Sequence, residues 1–124
     1  MGEKNKRSFG EKGENIALEY LDKNGYRIIT RNYRVGRVGE IDIIAREKQY
    51  VCFIEVKTRS SLRYGSPAES VTASKQRNIR KLAQFYIHKN NLYDQDIRFD
   101  VVEILIEKGN PSGNISINLI KNAF

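Results

Sequence analysis

Gly39-Glu40-Ile41-Asp42-Ile43-Ile44-Ala45-Arg46-Glu47-Lys48-Gln49-Tyr50-Val51-Cys52-Phe53-Ile54-Glu55-Val56-Lys57-Thr58-Arg59 is the stretch that decides the fold. Its β-branched and aromatic runs predict two strands, Glu40 to Arg46 and Tyr50 to Thr58. Lys48 and Gln49 lie at the centre of the connection, so the strands form a hairpin in which Ala45 faces Cys52. Alternation then sorts the side chains. Cys52, Ile54 and Val56 point one way, and Val51, Phe53, Glu55 and Lys57 the other. On the partner strand Ile41, Ile43 and Ala45 share a face, and Glu40, Asp42, Ile44 and Arg46 share the opposite one.

That register sets Asp42 opposite Glu55 and Glu40 opposite Lys57, with opposed Cβ atoms about 4.5–5.5 Å apart. Two carboxylates about 5 Å apart at an effective dielectric of about 20 repel by about 3 kcal/mol. A domain is stable by only about 5–15 kcal/mol, so the repulsion needs an offset. A divalent cation bridging Asp42 and Glu55 provides one, because carboxylate oxygens suit Mg²⁺. The Lys57 ammonium or a shifted pKa provides part of one. The alternative is a solvated face on which Glu40 pairs with Lys57 while Asp42 and Glu55 are simply exposed. The apolar neighbours Ile43, Phe53, Ile54 and Val56 instead read as strands buried on both faces.

Outward from the hairpin, Tyr26 to Tyr33 reads as a preceding strand. Gly13 to Asn24 reads as a helix with an apolar stripe of Ile16, Ala17, Tyr20 and Leu21, stopped by Gly25. Residues 1–12 read as a flexible basic arm, and residues 13–124 as a single domain. After the hairpin, Arg59 to Ser70 reads as a loop and Ala73 to Lys89 as a second helix. Arg98 to Glu107 and Ile115 to Ile120 read as strands, separated by the turn cluster Gly109 to Asn114. The order α-β-β-β-α-β-β implies an antiparallel meander, a helical crossover to a fourth strand parallel to the third, and an edge strand. The fold class is α/β, or α+β by a stricter accounting, with a mixed central sheet flanked by helices.

Composition narrows the chemistry. Among 124 residues there are one cysteine and one histidine, so intrachain disulfides, multi-cysteine zinc clusters and His-rich metal sites are excluded. An enzyme of this composition works with carboxylates, lysines, hydroxyls or an oxygen-held metal. The formal charge of +7 favours an anionic partner. No apolar run suits a membrane span and no apolar leader is visible, which gives a cytoplasmic expectation.

The helices offer further candidates. Glu14 lies at the edge of the first apolar stripe, within reach of Asp42, although a carboxylate in a first turn is also favoured by the helix dipole. Glu19 points to solvent. In the second helix Ile79, Leu82, Ala83, Tyr86 and Ile87 form the core face, and Arg77, Arg80, Lys81, Gln84 and His88 the opposite face. Gln76 sits on the flank, either facing Glu55, Lys57 and substrate or closing the helix start. Arg34, Arg37, Arg59, Tyr64, Lys75, Arg77, Arg80 and Lys81 are candidate nucleic-acid contacts: cations for phosphates and a tyrosine for bases. His88 reads as a solvated side chain and Cys52 as a small buried hydrophobe.

Asp42 followed by Glu55-Val56-Lys57 resembles the Asp…Glu-x-Lys arrangement of restriction-endonuclease-like nucleases. The longer context is more specific. Gly39 to Ala45, Phe53 to Arg59, Tyr64-Gly65-Ser66-Pro67-Ala68-Glu69, Lys75-Gln76, Arg98 to Val102 and Lys121 to Phe124 together resemble the YraN-type family of small uncharacterised bacterial proteins. That family is similar to Holliday-junction resolvases. The resemblance implies Mg²⁺- or Mn²⁺-dependent cleavage of DNA, with Asp42 and Glu55 holding metal and Lys57 orienting or deprotonating water. It matches Glu14 and Gln76 to catalytic positions and places Glu40 in the family's own motif without a role. The implied partner is branched or duplex DNA, cut by a possible homodimer. A non-catalytic nucleic-acid-binding or adaptor module on the same fold is the second expectation.

Overall fold

The computed structural model describes residues 2–60, 71–107 and 114–124, with the side chains of residues 2–8 outside that description. Helix α1 spans Gly2–Lys23, and the strands β1 (Arg27–Val35), β2 (Gly39–Glu47) and β3 (Tyr50–Arg59) follow. Helix α2 (Ala73–Lys89) then leads to β4 (Asp96–Ile106) and β5 (Ile115–Ile120). The five strands form one sheet in sequence order. β3 and β4 run parallel, and every other neighbouring pair is antiparallel. The chain is therefore α+β, in the element order its sequence implies.

The sheet separates two apolar layers because its central strands alternate. Cys52 and Ile54 join Ile43, Ala45, Val102 and Ile104 against Ala17 and Leu21 of α1. Val51 and Phe53 join Ile44 and Val101 against Ile79, Leu82, Ala83 and Tyr86 of α2. Gly25 takes φ +89° just after α1, a left-handed stop that glycine adopts without a Cβ clash. The β2–β3 hairpin turns on Lys48 and Gln49, with Glu47 facing Tyr50.

Two expectations change. Helix α1 starts at Gly2 and not at Gly13, so the segment read as a basic arm continues the helix. Phe9 packs on the α1-side core, which gives that extension an apolar anchor. The alternation of β2 also breaks: Ile41 packs with Ile44 on the α2 side, whereas Ile43 and Ala45 pack on the α1 side. The register of β1 with β2 shifts between Ile28 and Thr30 and is continuous from Thr30 to Val35. Arg31 pairs with Ile43 and Tyr33 with Ile41, and between those pairs lie Asn32 and Asp42. Asn32 takes φ +53°, a left-handed conformation that asparagine tolerates better than most residues.

Candidate functional site

The break in alternation builds the site. The β2–β3 ladder follows the expected register from Glu47↔Tyr50 to Ile43↔Ile54 and then ends. One residue further, the Asp42 side chain replaces the missing backbone partner, and its Oδ2 accepts a hydrogen bond from the Val56 amide at 2.8 Å. Asp42 and Glu55 are thus brought together where the two strands part, and not as a regular cross-strand pair. Both carboxyls line one pocket, and the Glu55 charge acts on Asp42.

Glu55 is 5% exposed, and its Oε2 is buried without a hydrogen-bond partner. Its Oε1 lies between two cations, Lys57 Nζ at 3.8 Å and Lys75 Nζ at 3.7 Å. Burial raises both carboxyls above their ordinary range. Asp42 is pushed up to about 7 by desolvation and then by the Glu55 charge. Glu55 is raised by desolvation, which Lys75 and Lys57 oppose.

Helix α1 contributes the third carboxyl. Gly13 presses so closely on β3 that a Cβ there would stand 1.9 Å from Thr58 Oγ1. This approach brings Glu14 over the end of the sheet, where it lines a pocket of about 300 Å³ with Phe9, Gly10, Asp42, Glu55, Val56 and Thr58. Desolvation and the Asp42 charge raise the Glu14 pKa. The Asn32 amide nitrogen, in the orientation its surroundings require, donates to Glu14 Oε1 at 3.0 Å and to Glu40 Oε1 at 2.9 Å. Arg31 stands 3.6 Å from Glu14, and Arg34 is 2.7 Å from Glu40. Glu40 therefore belongs to a rim network around Glu14. Its expected partner Lys57 turns to Glu55 instead.

Other sequence candidates lie elsewhere. Gln76 does not reach Glu55 or Lys57; its amide donates to the Val71 carbonyl at 3.0 Å and closes the start of α2. Thr72 caps the same turn by accepting from the Lys75 amide. It is Lys75, one residue before Gln76, that reaches the carboxylates. Arg59 pairs with the buried Glu103 at 3.0 Å. The Arg80 guanidinium covers the Phe99 ring at 4.8 Å. Arg37, Arg77 and Lys81 are exposed, and Tyr64 lies outside the described residues. His88 is exposed, and burial pushes the Cys52 thiol up to about 12, in keeping with a small buried hydrophobe.

Sequence reasoning missed Asn32 and the reach of Lys75. The isolated asparagine among β-branched and basic residues of β1 was a usable signal for a left-handed position. Nothing in linear spacing brings Lys75 to Glu55, because that contact depends on how α2 sits on the sheet.

Comparison with known proteins bears on the same stretch. The family model described as "Uncharacterised protein family UPF0102" matches residues 13–104. The chain belongs to this family. A UPF0102 protein of Acetivibrio thermocellus is 54% identical over 121 residues, covering 97% of this chain and 93% of that one. One from Caldicellulosiruptor saccharolyticus is 45% identical, covering 97% and 99%. A third, from Clostridium botulinum, is 48% identical, covering 95% and 94%. The matched span contains Glu14, Asn32, Glu40, Asp42, Glu55, Lys57 and Lys75. No helix among the described residues is long and apolar enough to cross a membrane.

Proposed function

We propose that this UPF0102 protein hydrolyses DNA phosphodiester bonds with a divalent cation, Mg²⁺ or Mn²⁺, held by Asp42 and Glu55. The observation that carries the reading is the Glu55 Oε2 atom, buried without a hydrogen-bond partner, on a side chain that shares one pocket with Asp42 and Glu14. A buried carboxylate oxygen without a partner is costly, and a cation is the ligand that satisfies it. Among the described residues no three acidic, His or Cys side chains form a metal cage. A Mg²⁺ site needs no such cage, because the ion binds through one or two carboxylates and keeps several waters and substrate oxygens.

A bound cation lowers the pKa of its water and offsets charge on the reacting phosphate. The chain's own groups do the rest. The Val56 amide fixes the Asp42 carboxylate, and Asn32 holds Glu14 at the pocket edge. Lys57, 31% exposed at its side chain, pairs with Glu55 from the solvent side and is placed to orient water and take up phosphate charge. Lys75 adds a second ammonium at the start of α2, where helix amides also favour an anion.

One observation favours an adaptor without catalysis: Lys57 and Lys75 already flank Glu55 Oε1 and offset part of the acidic charge. Isothermal titration of Mg²⁺ and Mn²⁺ into metal-free protein, with Asp42→Asn as control, separates the two. Heat in the wild type that is lost in the variant supports the hydrolase. If no metal binds even with a DNA strand present, and no strand is cut, the adaptor reading replaces it. A cut made on two strands at once would require a two-fold dimer, which sedimentation with branched DNA tests.

A further inference from the structure

The outer face of α2 combines two features that the carboxylate site does not use. The first is charge. Arg77, Lys81 and Lys89 are exposed, and no Asp or Glu occurs from Val71 to Tyr93; the exposed Asp94 and Asp96 follow Tyr93, beyond the end of the helix. The second is exposed aromatic surface. Phe85 is 44% exposed and Tyr93 65%, whereas the other large exposed hydrophobics among the described residues, Ile29 and Ile115, are aliphatic. Phe85 lines a recess of about 300 Å³ with Lys81, Gln84 and His88. The Tyr93 hydroxyl hydrogen-bonds the His88 ring, whose plane meets the Tyr93 ring edge-on with centroids 6.0 Å apart. The two aromatic rings therefore flank one histidine on a cationic helix face.

Charge selects the occupant. A second copy docked by this face onto itself would set Arg77, Lys81 and Lys89 against like charges. An apolar protein surface would leave those cations unpaired. A strand with unpaired bases satisfies both features, since its phosphates meet the cations and its flat bases meet the rings. A duplex offers phosphates only, because its bases are stacked on one another. Phe85 lies ten residues beyond Lys75, about 15 Å along the helix axis. That distance is about four nucleotides of a stacked strand rising 3.4 Å each.

We infer that the outer face of α2 binds single-stranded nucleic acid, with Phe85 and Tyr93 stacking on unpaired bases while Arg77, Lys81 and Lys89 hold phosphates. The inference rests on the hydrolase reading for taking the polyanion as nucleic acid, and it narrows that reading to substrates with an unpaired segment near the cut.

The test is fluorescence anisotropy of the full chain in EDTA with labelled oligothymidine and with a duplex of equal length. Wild-type protein is expected to bind the single strand more tightly. Phe85→Ala is expected to weaken single-strand binding about 5- to 150-fold and leave duplex binding unchanged. Phe85→Tyr is expected to restore it and Phe85→Leu is not, because the leucine keeps apolar bulk without a stacking face. Replacing Arg77 and Lys81 with Gln is expected to flatten the salt dependence by about 0.7 per charge. Single-strand affinity unchanged in Phe85→Ala overturns the inference. Equal rescue by Leu and Tyr also overturns it and points to a protein partner, and a dimer lost in Phe85→Ala points to a second copy. Failure of the hydrolase reading is seen separately. Phe85-dependent binding with neither metal uptake nor cleavage leaves this site standing and removes the enzyme, whereas cleavage with Phe85-independent binding does the reverse.

Discussion

Asp42→Asn is expected to stabilise the metal-free protein at pH 8. The substitution removes one charge of the buried pair and keeps an oxygen that can accept from the Val56 amide. The Asp42 pKa is pushed from its ordinary 3.8 to about 7 by burial and by Glu55. Raised by about 3 units at 1.36 kcal/mol each, the ionised group costs the fold about 4 kcal/mol. Two unit charges about 5 Å apart at an effective dielectric of about 20 repel by about 3 kcal/mol, the same order. The sign follows from proton counting. Between the unfolded and folded pKa values the native state holds the extra proton, so stability falls as pH rises from about 4 to about 7 and levels off above that. About 3 kcal/mol of the loss falls between pH 5 and pH 8. Urea denaturation in EDTA, followed by circular dichroism at several pH values, measures it. The wild type should lose stability over that interval, and the variant should lose much less and exceed the wild type at pH 8. Saturating Mg²⁺ should restore the wild type by mass action and leave the variant unmoved. A variant less stable than the wild type at pH 8 without metal, or a wild-type profile flat across the interval, refutes the claim that the two carboxyls are held against their own repulsion.

Three further outcomes are expected. Gly13→Ala places a methyl 1.9 Å from Thr58 Oγ1; overpacking there should cost about 1–3 kcal/mol in urea denaturation and weaken metal uptake by lifting Glu14 from Asp42. Asn32→Gly keeps the left-handed backbone and Asn32→Val does not, so the valine should cost about 1–2 kcal/mol more, while both lose the bridge from Glu14 to Glu40. Arg98→Ala leaves Asp100 and Glu47 buried without their shared cation; thermal melts should report a loss of about 3–5 kcal/mol, the largest of the series, although Arg98 takes no part in the carboxylate site.

The hairpin was legible because hydrophobic alternation and the short Lys48-Gln49 turn both constrain register, and a slip of one residue would turn Ile43, Ala45, Cys52 and Ile54 out of their core. The same rule failed at its last step. Alternation assumes that the ladder continues, whereas here the β2–β3 ladder ends at Ile43↔Ile54, and β1 turns left-handed at Asn32, between the pairs Arg31↔Ile43 and Tyr33↔Ile41. A left-handed residue in β1 and a side chain substituting for backbone in β2 are not periodic events, and no sequence period reports them. The beginning of α1 was obscured for a different reason. Gly2 to Lys12 is rich in charge and poor in apolar residues, so no apolar stripe marks it as helix, and Phe9 anchors it to the core.

The contrast between the two polar clusters explains why one site is read as functional and the other as structural. At the far end of the sheet Arg98, Asp100, Glu47, Tyr26 and Lys121 form a buried network in which the charges of opposite sign meet. Arg98 donates to Asp100, Glu47 and the Tyr26 hydroxyl, and Lys121 donates to Glu47. Asn122 donates its amide to Asp100, which ties the C-terminal residues to the sheet. Every carboxylate there has a cation or a donor, so burial is offset within the chain. Around Asp42 the balance is different. Two carboxyls share one end of the sheet, a third stands across the pocket, and the nearest cations stand 3.7 and 3.8 Å from Glu55 Oε1. Among the described residues Glu103 Oε2 is likewise buried without a hydrogen bond but has Arg59 at 3.0 Å, so Glu55 Oε2 is the buried oxygen on which the proposed cation site rests.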